Sequence, residues 1–500
     1  MKTRFLLAGA LMFAATAASA QTLRIGIVDD PDLLDPAPGK SFVGRIVFQS
    51  LCDKLVDISP DLKILPRLAT SWETTEDGKV ITFKLRAGVT FHDGEKFDAA
   101  AVKYNIERDK TMPESIRKSE LASVDGVDVI DPLTVRFNLK KPDSTLLAAL
   151  TDRAGMMVAP EAAKKAGAKF GLNPVCSGPY KFVERVQQDH ITLARYPGYW
   201  NAKAFAFDKI VFRTIPDSTA RLASLRSGDL DMIERVEPTD VKELEAQKDF
   251  KVVSIVSLGY QGLTVNVANG PQSKTPIGQD KRIRQALSLA IDRQGLMDAV
   301  FDGQFIAGNQ AVPPVSPYYS DKFPPPKRDL EKAKALLKAA GVEHPVVNMR
   351  YPTSSRTQRV VEVIQAMAAE AGFDIKLIST EFATQMKAQT DGDYEVVQIG
   401  WSGRPDPDGN IYSFYVCGGG LNDNHYCNKD VDKILADARL TTDVAARKAL
   451  YEKFDAIALD DMPIIYLYFE KWIWGMPAKL QGFVPYPDGM IRLEGVKLMQ

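Results

Sequence analysis

The sequence is poor in the residues that most often carry chemistry. Its 500 residues hold only four histidines and four cysteines. His92, His190, His344 and His425 are scattered, no two of them fall at the His-x-x-x-His spacing of a helical zinc site, and no Gly-x-Ser-x-Gly elbow presents a serine nucleophile. The cysteines show no metal-ligand spacing either, so metal-centred and nucleophilic catalysis both lack their residues. Excess charge is also missing. Lys and Arg number 63 against 64 Asp and Glu, a formal charge of −1, which argues against a nucleic-acid partner and against a membrane-surface role. Beyond residue 20 no apolar run is long enough to cross a bilayer, and the aromatic stretch from Ile464 to Trp474 is broken by Glu470 and Lys471. There is no internal repeat and no low-complexity tract.

Two glycine-bearing stretches imitate phosphate loops and fail on their surroundings. Pro38-Gly39-Lys40-Ser41 ends like a phosphate-cradling loop, but Leu34 stands where that motif needs glycine, and no long apolar strand and helix flank it. Gly418-Gly419-Gly420-Leu421-Asn422-Asp423 lacks the third glycine of a dinucleotide fingerprint and its strand-to-helix context. No cofactor and no metal are expected, and the chain does not read as an enzyme.

What is present begins with an export signal. Lys2 and Arg4 precede an apolar run from Phe5 to Ala15, and small residues end in Ala18-Ser19-Ala20, an Ala-x-Ala cleavage site. The reading is a signal peptide over 1–20, a periplasmic destination and, with no cysteine after the cut, no lipid anchor. In an oxidising compartment disulfides are the default. Cys417 and Cys427 are close enough to staple the Gly418–Gly420 loop. Cys52 and Cys176 then pair by elimination, the alternative being two buried free thiols.

Periodicity supplies the elements. Leu23–Val28 reads as a strand running into the turn Asp35-Pro36-Ala37-Pro38. Ile81, Phe83 and Leu85 alternate with polar neighbours, as do Val135, Phe137 and Leu139. Around Asp280 to Asp302 the period becomes helical, with Gly303 as a stop. Six prolines between Val312 and Pro326 exclude a helix there. Helices follow from Leu330 to Gly341 and from Thr357 to Ala371, then a strand at Phe373–Ile378, helices near Asp430–Leu440 and Asp443–Leu459, and a strand at Pro463–Tyr468. A length of 500 residues with helix-then-strand alternation points to an α/β protein of two or three domains.

Several blocks then resemble a known family. Leu65-Pro66-Arg67-Leu68-Ala69-Thr70-Ser71-Trp72-Glu73, Phe83-Lys84-Leu85-Arg86-Ala87-Gly88-Val89-Thr90-Phe91-His92-Asp93-Gly94, Ser177-Gly178-Pro179-Tyr180, Leu225-Arg226-Ser227-Gly228-Asp229-Leu230-Asp231 and Arg282-Ile283-Arg284-Gln285-Ala286-Leu287 closely resemble the signature of family 5 extracellular solute-binding proteins, which include dipeptide, oligopeptide, glutathione and nickel-chelate binders. The resemblance implies an α/β, bilobal periplasmic-binding-protein-like fold of class II type. Residues 21–55, 176–264 and 471–500 would form the large lobe, 56–175 a subdomain appended to it, and 265–470 the second lobe. It also implies a monomer that traps a small-molecule ligand, peptide-like or carboxylate-bearing, between the lobes and hands it to the permease subunits and ATPase of an ABC importer. A periplasmic sensor or chaperone on the same fold is the alternative of another class. Within the signature, His92, Trp72, Tyr180 and Trp200 read as packing residues.

The ligand question centres on Ile399 to Tyr412. This segment matches the family's cleft loop, in which an acidic residue three positions after the tryptophan holds a peptide's ammonium; here that position is Arg404, after Trp401. A guanidinium instead suits a carboxylate or phosphate. The expectation is Arg404 on an anionic group, Trp401 packed over the ligand, and Asp406 or Asp408 accepting from an amine. The alternatives are an ion pair of Arg404 with one of those aspartates, turn formation by Asp406 and Asp408, and a Tyr412 packed beneath the loop instead of lining it. A true dipeptide, oligopeptide or glutathione binder using Asp406 or Asp408 remains the second reading. Arg117 and Arg153 lie where chelate-binding relatives place arginines facing carboxylates, and Phe42 is a candidate apolar wall.

Overall fold

The structure, a computed structural model, describes residues 21–499; the expected signal peptide lies outside the described residues. Two large sheets organise it. The first has seven strands in the order Phe250–Val256, Lys471–Pro477, Met232–Glu234, Thr22–Ile27, Lys209–Thr214, His190–Arg195 and Tyr180–Val186. Thr22–Ile27 runs parallel to both neighbours, with Ile25 opposite Phe212 on one side and Met232 on the other. Leu23, Ile25 and Ile27, alternate residues on one face of this strand, are fully buried.

The second sheet has six strands in the order Ile306–Ala307, Ile464–Phe469, Tyr260–Val265, Val396–Trp401, Val346–Pro352 and Asp374–Thr380. Helices Leu330–Ala340 and Ser355–Ala369 bury Leu337, Val361 and Ile364 in its core. A third, four-stranded antiparallel sheet joins Ala69–Thr74, Val80–Leu85, Thr134–Leu139 and Val124–Asp131. Phe83 and Phe137 meet edge to face in its centre, 5.0 Å between ring centroids.

The chain passes between the two large sheets twice, through Ser257–Gly259 and through Glu470. The crossings are tied together, since Ser257 N–H donates to the Glu470 carbonyl at 2.8 Å. The broken aromatic stretch 464–474 is therefore two strands in two different sheets, with Glu470 at the passage between them. The second sheet is entered at Tyr260, ahead of the 265 taken from the resemblance.

Most elements stand where the periodicity placed them, and one helix does not. The single helix expected over 280–302 is two, Lys281–Ala290 and Arg293–Phe301. Ile291 is extended, and the Asp292 carboxylate accepts from Gly295 N–H, so a new helix start is built into the middle of the apolar pattern. Both disulfides are present, Cys52–Cys176 and Cys417–Cys427, which removes the free-thiol alternative. No helix among the described residues is long and apolar enough to cross a membrane.

Candidate functional site

The segment expected to form a cleft loop is only partly loop. Val396–Trp401 is a strand, and Asp408–Tyr415 is a helix. Between them the chain turns sharply at Gly403, whose φ of +82° suits glycine. The Ser257–Gly259 crossing presses on this turn. Leu258 pairs with Gly403, and a Cβ on Gly259 would lie 1.7 Å from the Trp401 carbonyl oxygen, so neither contact tolerates a side chain.

Asn410, 1 % exposed, fixes the turn from below. Its Oδ1 accepts from Trp401 Nε1 at 3.1 Å and from Arg404 N–H at 2.8 Å, while its Nδ2 donates to the carbonyls of Leu258 and Ala311 at 2.9 and 3.2 Å. One side chain thus positions the tryptophan, the arginine and the crossing together. The sequence reading left Asn410 without a role.

This turn forms one wall of a cavity of about 340 Å³. The opposite wall comes from residues 119–152, including Glu120, Lys141, Asp143 and Asp152. A volume of this size suits a small ligand. Of the residues proposed from sequence, Trp401, Arg404, Asp406 and Asp408 line it.

The aspartates are not free. Arg447 grips Asp406 with two bonds of 2.5 and 2.7 Å, and Arg439 grips Asp408 with two of 2.7 Å. Asp406 Oδ1 also accepts from Asp408 N–H at 2.9 Å and so starts the helix. These pairs correct two expectations. Arg404 makes no ion pair with either aspartate, and both carboxylates already hold a bidentate partner where an incoming amine was expected. The turn-forming role of Asp406 is the one seen.

Four further candidates do not reach the cavity wall. Phe42 stacks on Trp472 with centroids 4.6 Å apart. Arg117 is buried and ion-paired with Glu120. Arg153 is buried and donates to the Gly39 carbonyl at 2.7 Å. Tyr412 lies under the Arg439 guanidinium, 3.2 Å from ring centroid to Cζ. In each case packing or pairing within the fold claims the side chain first.

Arg404 differs from every other guanidinium at the site. It donates to its neighbour's carbonyl, Gly403, at 2.8 Å and lies over the Trp401 ring at 4.6 Å, with no carboxylate within ion-pair distance among the described residues. Burial, with the nearby Arg45 guanidinium, outweighs Asp152 and pushes Arg404 down to about 10. Burial likewise pushes Arg153 down to about 9, against the pull of Asp152. Both remain charged at neutral pH, so the depression expresses positive charge left short of counter-charge. Burial raises the Asp152 carboxyl, but Arg45, at 3.0 Å, and Arg153 outweigh it and hold it well below the usual range. Arg45, Arg117, Arg153 and Arg404 thus gather around Asp152 and Glu120.

His92, read as a packing residue, is one. It accepts from Cys176 N–H at 3.3 Å and bonds the Gly178 carbonyl at 3.0 Å. Among the described residues no group of acidic, histidine or cysteine side chains is arranged to hold a metal ion.

Residues 63–422 match the family described as bacterial extracellular solute-binding proteins, family 5 Middle. The glutathione-binding protein GsiB of Pectobacterium atrosepticum is 29 % identical over 505 residues, covering 98 % of this chain and 97 % of the relative. The dipeptide-binding protein of Escherichia coli K12 is 28 % identical, covering 87 % and 86 %. Among solved structures, the periplasmic binding protein DppA of Helicobacter pylori in complex with the peptide STSA superposes with a TM-score of 0.84 at 26 % identity, covering 96 % of this chain and 98 % of that one. The Agrobacterium tumefaciens protein AgaA in complex with agropinic acid gives 0.81 at 27 % identity, covering 96 % and 99 %.

Proposed function

The chain belongs to the bacterial extracellular solute-binding proteins of family 5, and from that premise we propose that it captures a small peptide-like or other carboxylate-bearing solute through Arg404. The observation that carries this reading is the unmatched guanidinium. Arg404 lines the cavity with no carboxylate within ion-pair distance among the described residues, and the nearby Asp152 and Glu120 are already paired with Arg45 and Arg117. A carboxylate from outside supplies the missing charge and takes paired, charge-assisted hydrogen bonds, while Trp401 offers an apolar face beside it. The named ligands of the solved relatives, a peptide and an organic acid, fit that chemistry.

The capture is a closure. Residues 21–55, 176–256 and 471–500 move as one body carrying 56–175, and 260–469 as the other, hinged at Ser257–Gly259 and Glu470. Ligand contacts on both walls favour the closed state over the open one. The closed protein then delivers its solute intact to an ABC permease in the bacterial inner membrane, working from the periplasm after removal of residues 1–20.

Mass spectrometry of whatever co-purifies, followed by a thermal-shift screen of peptides, glutathione and amino-acid conjugates, tests the reading. Expected is a small carboxylate-bearing molecule that raises the melting temperature. A ligand without an anionic group, or turnover of the bound molecule, overturns it.

A further inference from the structure

The carboxylates lining the cavity are paired almost completely; among the described residues the lining charges without an ion pair are Arg404 on one wall and, on the other, Asp143 and the lysines Lys140 and Lys141. Glu120 is held by Arg117, Asp152 by Arg45, Asp406 by Arg447 and Asp408 by Arg439. The remaining lining carboxylate, Asp143, has no cation within ion-pair distance among the described residues. Its Oδ1 accepts from the N–H and the hydroxyl of Thr145 at 2.8 and 2.7 Å, which fixes the carboxylate and leaves Oδ2 without a hydrogen bond. Arg439 senses the charge of Asp143, but its guanidinium is already committed to Asp408 by two bonds. Lys140 donates to the Ala122 carbonyl instead.

We infer that Asp143 is the ammonium partner of the ligand, so that the cavity selects solutes carrying both an amine and a carboxylate, held between Asp143 on one wall and Arg404 on the other. This rests on the reading of Arg404 given above and adds the other end of the ligand. A carboxylate held by backbone and hydroxyl donors, with one oxygen free, is a preorganised acceptor for a protonated amine. The arrangement also accounts for the arginine at position 404. The amine is met from the 119–152 wall, so the turn after Trp401 is free to carry a cation for the opposite end of the ligand. Because the two groups sit on segments that separate when the walls part, a ligand bearing both charges bridges them, whereas one bearing a single charge engages one wall.

The test uses the full-length secreted protein, purified by unfolding and refolding so that no ligand is retained, and a panel of dipeptides together with glutathione, each free and N-acetylated. Titration calorimetry compares wild type, Asp143→Asn and Arg404→Ala. The amide oxygen of the introduced asparagine still accepts from Thr145, so the local turn survives, and cooperative melting confirms it. Expected for wild type is binding of at least one free-amine member with its N-acetyl counterpart at least tenfold weaker. Asp143→Asn lowers the free-amine affinity at least tenfold and leaves the N-acetyl affinity unchanged, while Arg404→Ala weakens both. Equal binding of the free and acetylated forms, or an unaffected Asp143→Asn, overturns the role of Asp143 and leaves Arg404 standing. Failure of the whole panel to bind, or an unaffected Arg404→Ala, overturns the reading of Arg404 and this inference with it.

Discussion

Ser144 donates twice to the backbone of Arg439, from its own N–H at 3.0 Å and from its hydroxyl at 3.0 Å, both to the Arg439 carbonyl oxygen. These bonds join the 119–152 wall directly to the helix Lys429–Leu440 behind the other wall. Arg439 is also the residue whose guanidinium holds Asp408. The same residue thus reaches the opposite wall through its backbone and the cavity-lining turn through its side chain. Replacing Ser144 by Ala removes the hydroxyl bond and should cost the closed state about 1 kcal/mol. Replacing it by Pro also removes the N–H donor and should cost more. Ligand affinity falls by the same factor, because binding draws on the closed population. Small-angle scattering with and without ligand, alongside calorimetry, checks this; a Ser144→Pro protein with unchanged affinity and shape would remove the contact from the closing motion.

Arg404→Ala should leave folding nearly intact, because the side chain holds no carboxylate of the protein and bonds only its neighbour's carbonyl. Binding of a carboxylate-bearing ligand should weaken by about 1.5 kcal/mol or more. Arg404→Lys restores the charge but not the fork geometry and should recover only part of that loss. Calorimetry at two salt concentrations checks both variants, and a full recovery by Lys would mean that the guanidinium acts as a point charge alone.

The contrast between Arg404 and Asp143 shows what could be read from the chain. Trp401 and Arg404 were visible because they sit in one short stretch with a family pattern, and an arginine in an acid's place is a local signal. No spacing relates Asp143 to Arg404; only the meeting of two walls does. The fate of Asp406 and Asp408 was hidden for the same reason, since Arg439 and Arg447 approach from two later helices. Among the elements, strands with one apolar face were legible from alternation, whereas the break at Ile291 was not. An aliphatic residue there satisfies the helical period equally well, and only the capping bond of Asp292 reveals the new start.

Asn410 offers a sharper test of how the turn is built. Replacing it by Ala deletes bonds to Trp401, Arg404, Leu258 and Ala311, leaving donors and acceptors in a buried place without partners. Stability should fall by about 2–3 kcal/mol, and affinity should fall as well, because Trp401 and Arg404 lose their common anchor. Denaturant unfolding and calorimetry on the same sample check the two effects. A stable Asn410→Ala protein with full affinity would show that the Gly259 and Gly403 contacts hold the turn unaided.

The Cys52–Cys176 disulfide closes a sequence separation of 124 residues and ties the end of the helix Phe42–Leu51 to the segment leading into Tyr180–Val186. Replacing both cysteines by Ala should cost about 2–4 kcal/mol, chiefly by freeing the unfolded chain. The Cys417–Cys427 pair closes a far shorter loop and should cost less on the same substitution. Thermal melts of the two double variants check the order; equal losses would locate the stabilisation in the folded state instead.

His92 sets a pH limit on the fold. Burial pushes its imidazole down to about 4, against the raising effect of the Gly178 carbonyl. The geometry gives the reason. With Nε2–H donating to Gly178, Nδ1 must stay unprotonated to accept from Cys176 N–H. The folded state therefore resists a proton that the unfolded chain takes up near pH 6.5, and between pH 6.5 and 4 the unfolded state binds more protons. Stability contributed by neutral His92 is fully present above about pH 6.5 and is lost as pH falls toward 4, with a total span of up to about 3 kcal/mol. Chemical unfolding at a series of pH values should show this slope in wild type and a flatter one in His92→Gln, whose side chain carries a donor and an acceptor and does not titrate. Identical slopes in the two proteins would assign the acid sensitivity to other groups and release His92 from it.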